Sequence, residues 1–287
     1  MIFDGILCDA AFFPPGSAPA EVAVRSHFAH RQSPQRRYLG PFVAPASSAI
    51  SVADLSAKAS TDPLELTLTF SGDFDALANT ILLTNRLEGI RITAVDVAIP
   101  DHMGVSEALS ALSPAIPKSI QTFVEVPRDH RRETMIAALA GNGMSAKLRT
   151  GGTIKDAYPS ESELAQTIYL AATSNLPFKA TAGLHHAVRN TDIATGFEQH
   201  GFLNMMSAVG AAIDGAGPAD LVRILRCRDE EAMSEAISAL TPQQAAGIRH
   251  HFLSFGTCSI LEPLQDLIRL QLIAADDVAT ASERVQL

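Results

Sequence analysis

Two short stretches decide the architecture: Ala146-Lys147-Leu148-Arg149-Thr150-Gly151-Gly152 and Phe178-Lys179-Ala180-Thr181-Ala182-Gly183. Each reads as a strand that runs into a turn of small residues. Successive strand side chains point to opposite faces, so Lys147 shares a face with Arg149, and Lys179 shares one with Thr181. A cation inside an otherwise apolar strand is costly unless it is paired or functional. Two such strands in succession predict a barrel interior whose open end handles an anion or a carbonyl.

Working outward from this pair, short β-like runs alternate with longer helical patterns along the whole chain. Strands are expected at Gly5 to Asp9, Ala49 to Val52, Leu64 to Phe70, Ile90 to Ile99, Ile120 to Val126, Ser145 to Thr150, Phe178 to Ala182 and Phe252 to Phe255. Between them lie helices over Ala20 to Gln32, Asp73 to Arg86, Val105 to Leu112 and Arg131 to Ala140. Another is opened by the capping pattern Ser160-Glu161-Ser162-Glu163, and a last one spans Glu262 to Leu272. Residues 197–251 read as three or four further helices, broken at Gly215-Ala216-Gly217-Pro218. The tail after Asp276 reads as frayed. The alternation predicts a single (β/α)8 TIM barrel over residues 1–287, with a helical insertion (197–251) before the last strand that serves as a lid or an oligomer contact. Doubly wound sheets share the alternation, but Asp96, Glu125, Lys147, Arg149, Lys179 and Thr181 all fall at C-terminal strand ends, where barrels keep their chemistry. The dinucleotide-binding glycine pattern is absent.

Composition narrows the class. The 287 residues are 47% hydrophobic with a formal net charge of −9. That charge gives no basic surface for nucleic acid. No apolar run reaches membrane-spanning length, so no membrane partner is expected. Cys8, Cys227 and Cys258 are odd in number and far apart. They form neither a zinc pattern nor a disulfide framework, which suits a reducing compartment. With no basic region at the N-terminus, the chain is expected to be cytoplasmic.

Four segments, in order, resemble the deoxyribose-phosphate aldolase family of class I aldolases. Val95-Asp96-Val97-Ala98-Ile99-Pro100 looks like the strand carrying that family's acidic proton relay. Ala146 to Gly151 looks like the strand of its Schiff-base lysine, and Phe178 to Gly183 is similar to the strand of its second active-site lysine. Phe255-Gly256-Thr257-Cys258-Ser259 resembles its phosphate-binding turn. Beyond these four, Thr122-Phe123-Val124-Glu125 is also similar to the strand between the acid and the first lysine. The likeness covers the second half of the barrel. Arg149 stands where the family has a small hydroxyl residue, and Leu184-His185-His186 replaces its short phosphate-gripping turn. The segment Phe12-Phe13-Pro14-Pro15-Gly16 has no counterpart there.

The resemblance implies a cofactor-independent lyase that acts on a small anionic carbonyl compound, phosphorylated or carboxylated. Lys147 would be the nucleophile, with Arg149 and Lys179 disfavouring its protonated form. Asp96 would move protons, and Glu125 would be an acid/base or, preferably, a counter-charge. The competing reading makes Lys147 and Glu125 a buried cross-strand ion pair. Gly256, Thr257, Cys258 and Ser259 form either an anion site at a helix N-terminus or an ordinary helix cap. Gly183, His185, His186 and Arg189 follow the seventh strand and are placed at the barrel mouth as substrate contacts. No cofactor is expected. No metal is expected either, because no i, i+4 histidine pair with a carboxylate appears; a site would otherwise have to assemble from the adjacent His185 and His186 with His102 or His200. His27 and His30, among Arg25, Arg31, Arg36 and Arg37, read as a solvated face or an oligomer contact. Two other functions stay open: a barrel transferase whose lysines only bind anions, and a non-catalytic binding barrel.

Overall fold

In a computed structural model, which describes residues 1–72 and 74–278, the chain alternates strands and helices in this order. The elements are β1 (Leu7–Asp9), α1 (Ala20–Arg31), β2 (Leu39–Pro45), α2 (Ala49–Ala59), β3 (Leu64–Ser71), α3 (Phe74–Thr84), β4 (Ile90–Ala98), α4 (Val105–Ala115), β5 (Gln121–Glu125), α5 (Arg132–Gly141), β6 (Ser145–Arg149), α6 (Glu161–Thr173) and β7 (Phe178–Thr181). A two-stranded hairpin follows, β8 (Asn190–Thr191) with β9 (Glu198–Gln199), and then α7 (Phe202–Ile213), α8 (Pro218–Arg226), α9 (Glu230–Ser238) and α10 (Pro242–His251). The chain closes with β10 (Phe252–Thr257) and α11 (Leu261–Arg269). Eight parallel strands form a closed barrel in the order β1-β10-β7-β6-β5-β4-β3-β2, a (β/α)8 TIM barrel.

One expected strand is wrong. Ala49 to Val52 opens α2, whose Ala49, Val52, Ala53 and Ser56 are buried at helical spacing. The second barrel strand is Leu39–Pro45. Its two prolines disguise it, because proline cannot donate to a sheet ladder. Pro41 sits where the register against β1 shifts between Leu39 and Phe42, and Pro45 ends the strand. Irregular and terminal positions are where strands tolerate proline.

The reading of His27 as solvated is also corrected. On α1, Ala23, Val24, His27 and Phe28 form the buried stripe, and His27 lies 3.0 Å through Nδ1 from Asp9 on β1. The ring also packs edge-on against Phe42. Asp73, the expected first residue of α3, and the tail from residue 279 onward lie outside the described residues.

Four helices fill the stretch between β9 and β10, with the break at residues 214–217. α7 is buried along most of its length, and its Phe202 stacks on Phe255 of β10 at 5.1 Å. Asn204 ties this layer together: its amide donates to the carbonyls of Ile224 and Cys227, and its Oδ1 accepts the Arg189 N–H. Among the described residues no helix is long and apolar enough to cross a membrane.

Candidate active site

The interior charges come from four consecutive strands. Register places Asp96 beside Phe123, Glu125 beside Lys147, and Lys147 beside Lys179. Neighbours in a parallel ladder share a face, so these side chains form one ring around the C-terminal half of the barrel. They open into a cavity of about 680 Å³ at the C-terminal strand ends.

Lys179 is the deepest cation, only 2% exposed, as is Asp96. Its Nζ lies 3.0 Å from both carboxylate oxygens of Asp96 and 5.0 Å from the centre of the Phe123 ring. Burial works against the ammonium, but the adjacent Asp96 charge outweighs it and carries Lys179 above the ordinary lysine value. Lys147 reaches the same acid from the other side. Its Nζ is 3.8 Å from Asp96 Oδ2 and 3.1 Å from Glu125 Oε2. Burial would raise the Glu125 carboxyl, yet Lys147 and Arg149 hold it below the usual carboxylate range. Arg149 donates through Nε to Glu125 Oε1 at 2.9 Å and is 43% exposed along its side chain, facing the mouth.

The geometry revises the expected electrostatics. Carboxylates stand between the cations, so Lys147 is not left facing Arg149 and Lys179 alone. The cross-strand Lys147–Glu125 pair, offered as the alternative to a catalytic Lys147, is present. The cavity is lined by three basic side chains (Lys147, Arg149, Lys179) and two carboxylates (Asp96, Glu125).

Of the remaining candidates, Thr181, Gly183, His185, Gly256 and Cys258 line the same cavity. Gly183 has φ +73°, and a Cβ there would come within 2.9 Å of the Thr150 carbonyl oxygen. Here the turns after β6 and β7 cross, so glycine is required. Thr150 Oγ1 locks the crossing by donating to the carbonyls of Thr181 and Ala182. Cys258 is pushed up by burial, which leaves it a neutral thiol.

Four candidates lie elsewhere. Arg189 turns away from the mouth to pair with Glu161 at 2.8 Å and Glu198 at 3.1 Å. It also donates to His200 Nδ1, while His200 Nε2 faces the Pro159 carbonyl at 2.8 Å. An arginine and a carbonyl on opposite ring nitrogens fix the neutral Nε2–H tautomer. His186 points outward and binds Asp266 at 3.1 Å, which raises its ordinary value. Thr257 Oγ1 donates to the Ser259 carbonyl and accepts the Ser259 N–H, and Ser259 Oγ accepts the Glu262 N–H. The capping reading therefore describes Thr257 and Ser259. Among the described residues, no group of three or more His, Cys, Asp and Glu is placed to hold a metal ion.

The rest of the wall escaped sequence reasoning: Phe13 and Pro14 from the N-terminal loop, Val43 from β2, and Thr69 and Phe70 from β3. For Thr69 a signal existed, since Thr67 and Thr69 alternate with Leu66 and Leu68. For the loop there was none. No helix of the 197–251 stretch contributes to the cavity wall.

No known family and no curated protein matches the sequence. Among solved structures, the chain is similar to YagE from E. coli K12, a prophage protein belonging to the dihydrodipicolinic acid synthase family and solved in complex with pyruvate. Identity is 11% and the TM-score is 0.43, with 95% of this chain and 100% of that chain covered. A likeness this loose has no bearing on the chemistry of the site.

Proposed function

We propose that the cavity is the active site of a class I aldolase-like lyase, with Lys147 as the Schiff-base lysine. The observation that carries this reading is the shared acid: Asp96 Oδ2 lies 3.0 Å from the Lys179 ammonium and 3.8 Å from that of Lys147. Lys179 is held protonated by its carboxylate in a dry site, and Arg149 does not deprotonate in proteins. Three basic side chains meet two carboxylates there, and Lys147 is the one whose carboxylates both lie closer to another cation.

The free Lys147 amine adds to a carbonyl carbon, and the carbonyl oxygen takes up a proton to give a carbinolamine. Loss of that oxygen as water leaves an iminium. The iminium accepts the electron pair of the cleaving Cα–Cβ bond as an enamine, while the departing fragment becomes an aldehyde when its hydroxyl loses a proton. Asp96, 3.8 Å from the Lys147 nitrogen, would relay these protons through an intervening water. Glu125 holds Lys147 and Arg149 in position.

A second reading has one specific observation behind it. The 3.1 Å Lys147–Glu125 ion pair suits a site in which the lysines bind an anion and never become covalent. Borohydride reduction in the presence of small aldehydes and ketones separates the two. An adduct mapped to Lys147 and lost in Lys147→Ala is the expected result. An adduct on Lys179 reverses the assignment of the two lysines, and no adduct with any carbonyl favours the anion-binding reading.

A further inference from the structure

The helix N-terminus where a phosphate would be expected is crowded by the N-terminal loop. The N-terminal loop crosses the turn after β10. The Ala10 N–H donates to the Thr257 carbonyl, and the loop closes on itself through Phe13 N–H to Ala10 and Ser17 N–H to Phe13. Gly16 is pressed against Cys258 so tightly that a Cβ would lie 2.9 Å from the cysteine Cβ. Both hydroxyls of the turn have partners: Thr257 donates to the Ser259 carbonyl, and Ser259 accepts the Glu262 N–H. The first turn of α11 also carries Glu262, with His185 Nδ1 3.2 Å from its carboxylate. A carboxylate at that helix end repels a phosphate instead of leaving the end free to bind one.

The cavity is two-sided. Its charged groups come from β4 to β7. The opposite side, from the N-terminal loop, β2, β3 and the turns after them, carries the apolar Phe13, Pro14, Val43, Pro45 and Phe70 together with the hydroxyl residues Ser47, Thr69 and Ser71. A phosphate or a polyol laid against its apolar part would lose water contacts without hydrogen bonds in return, whereas an alkyl or aryl group would gain from the burial.

We infer that the substrate of this cavity is a carbonyl compound bearing an apolar alkyl or aryl group and no phosphate, and that Phe13 sets this preference. The inference rests on the Schiff-base reading for the position of the carbonyl. Lys147 takes the carbonyl on the charged side, and the apolar group extends toward the loop. The loop thereby gains a role in specificity.

Two measurements keep the inference separate from the lyase reading. In the first, glyceraldehyde 3-phosphate and phenylacetaldehyde are offered at equal concentration to the full chain, reduced with borohydride and quantified as lysine adducts. The phenylacetaldehyde adduct should dominate by about tenfold. That ratio should fall by about tenfold in Phe13→Ala and be largely kept in Phe13→Leu, in line with the burial of one side chain. Phe70→Ala serves if Phe13→Ala does not fold. In the second, calorimetry compares 3-phenylpropan-1-ol with glycerol 3-phosphate, neither of which can form a Schiff base. The alcohol should bind, more weakly in the variants, and the phosphate should not. Equal or better trapping of the phosphorylated aldehyde, or binding of glycerol phosphate but not the alcohol, overturns the inference. If no aldehyde is trapped, the Schiff-base reading fails and the calorimetric pair alone decides: alcohol binding that weakens in Phe13→Ala upholds the apolar wall, and no alcohol binding removes it.

Discussion

Replacing Asp96 with asparagine should destabilise the barrel in a way that depends on pH with a predictable sign. Lys179 Nζ and Asp96 lie 3.0 Å apart and are almost fully buried. At an effective dielectric constant of about 20, that contact corresponds to roughly 5 kcal/mol of attraction. Removing one partner of a buried pair typically costs about 3–5 kcal/mol, because the other charge is left uncompensated. In the native protein the folded Lys179 lies above its ordinary value. Its contribution is therefore complete below about pH 10.4 and is lost only as pH rises through the folded value, so it adds no slope between about pH 6 and 9. In Asp96→Asn, burial acts on the ammonium without the carboxylate, and the folded state binds its proton more weakly than the unfolded chain. Variant stability should then rise with pH over that window, by at most about 1.4 kcal/mol per unit. Urea unfolding at pH 6.5 and 9 measures both effects. A loss below about 1 kcal/mol at pH 6.5, or a gap between the two proteins that does not narrow at pH 9, would falsify the dry Lys179–Asp96 pair.

Two other perturbations have defined outcomes. Gly183→Ala places a Cβ 2.9 Å from the Thr150 carbonyl oxygen at φ +73°. It should cost about 2 kcal/mol and lower Tm by roughly 5 °C in a thermal melt, and an unchanged Tm would show that the crossing of the two turns is loose. Arg149→Gln leaves Lys147 as the cation paired with Glu125 and draws the ammonium more firmly to that carboxylate. Borohydride trapping at neutral pH should fall severalfold, and unchanged trapping would mean that sharing Glu125 with Arg149 has no part in freeing Lys147.

The barrel was legible because its strands and helices keep their periods. Seven of the expected strands overlap barrel strands, and the helical break at residues 214–217 falls where Gly and Pro placed it. What failed did so for local reasons. β2 hides behind Pro41 and Pro45, which a ladder tolerates only at an irregularity or an end. His27 sits in a run rich in arginine, and only its spacing from Ala23 and Val24 betrays that it faces inward. The inward-facing charges could be read from alternation along single strands. Thr257 and Ser259 fell to the capping alternative that the sequence offered. The positions of Arg189 and His186 could not be read, because turns have no period and their side chains go to whichever acceptor the tertiary structure supplies.

That difference bears on how the two lysines are told apart. Alternation alone puts Lys147 and Lys179 on equivalent positions of adjacent strands, and their register pairing confirms the equivalence of the backbone. What separates them lies across the barrel. Asp96 on β4 meets Lys179 at 3.0 Å but Lys147 at 3.8 Å, while Glu125 on β5 reaches Lys147 and is also claimed by Arg149. Lys147 thus shares each of its carboxylates with a cation that lies closer, Lys179 at Asp96 and Arg149 at Glu125. The more distant partner of a shared counter-charge is held less tightly. If either lysine gives up a proton to attack a carbonyl, the charge count selects the one whose departure leaves two cations facing two carboxylates in fixed pairs, Lys179 with Asp96 and Arg149 with Glu125. On the Schiff-base reading, the pairing of its neighbours is what singles out the nucleophile.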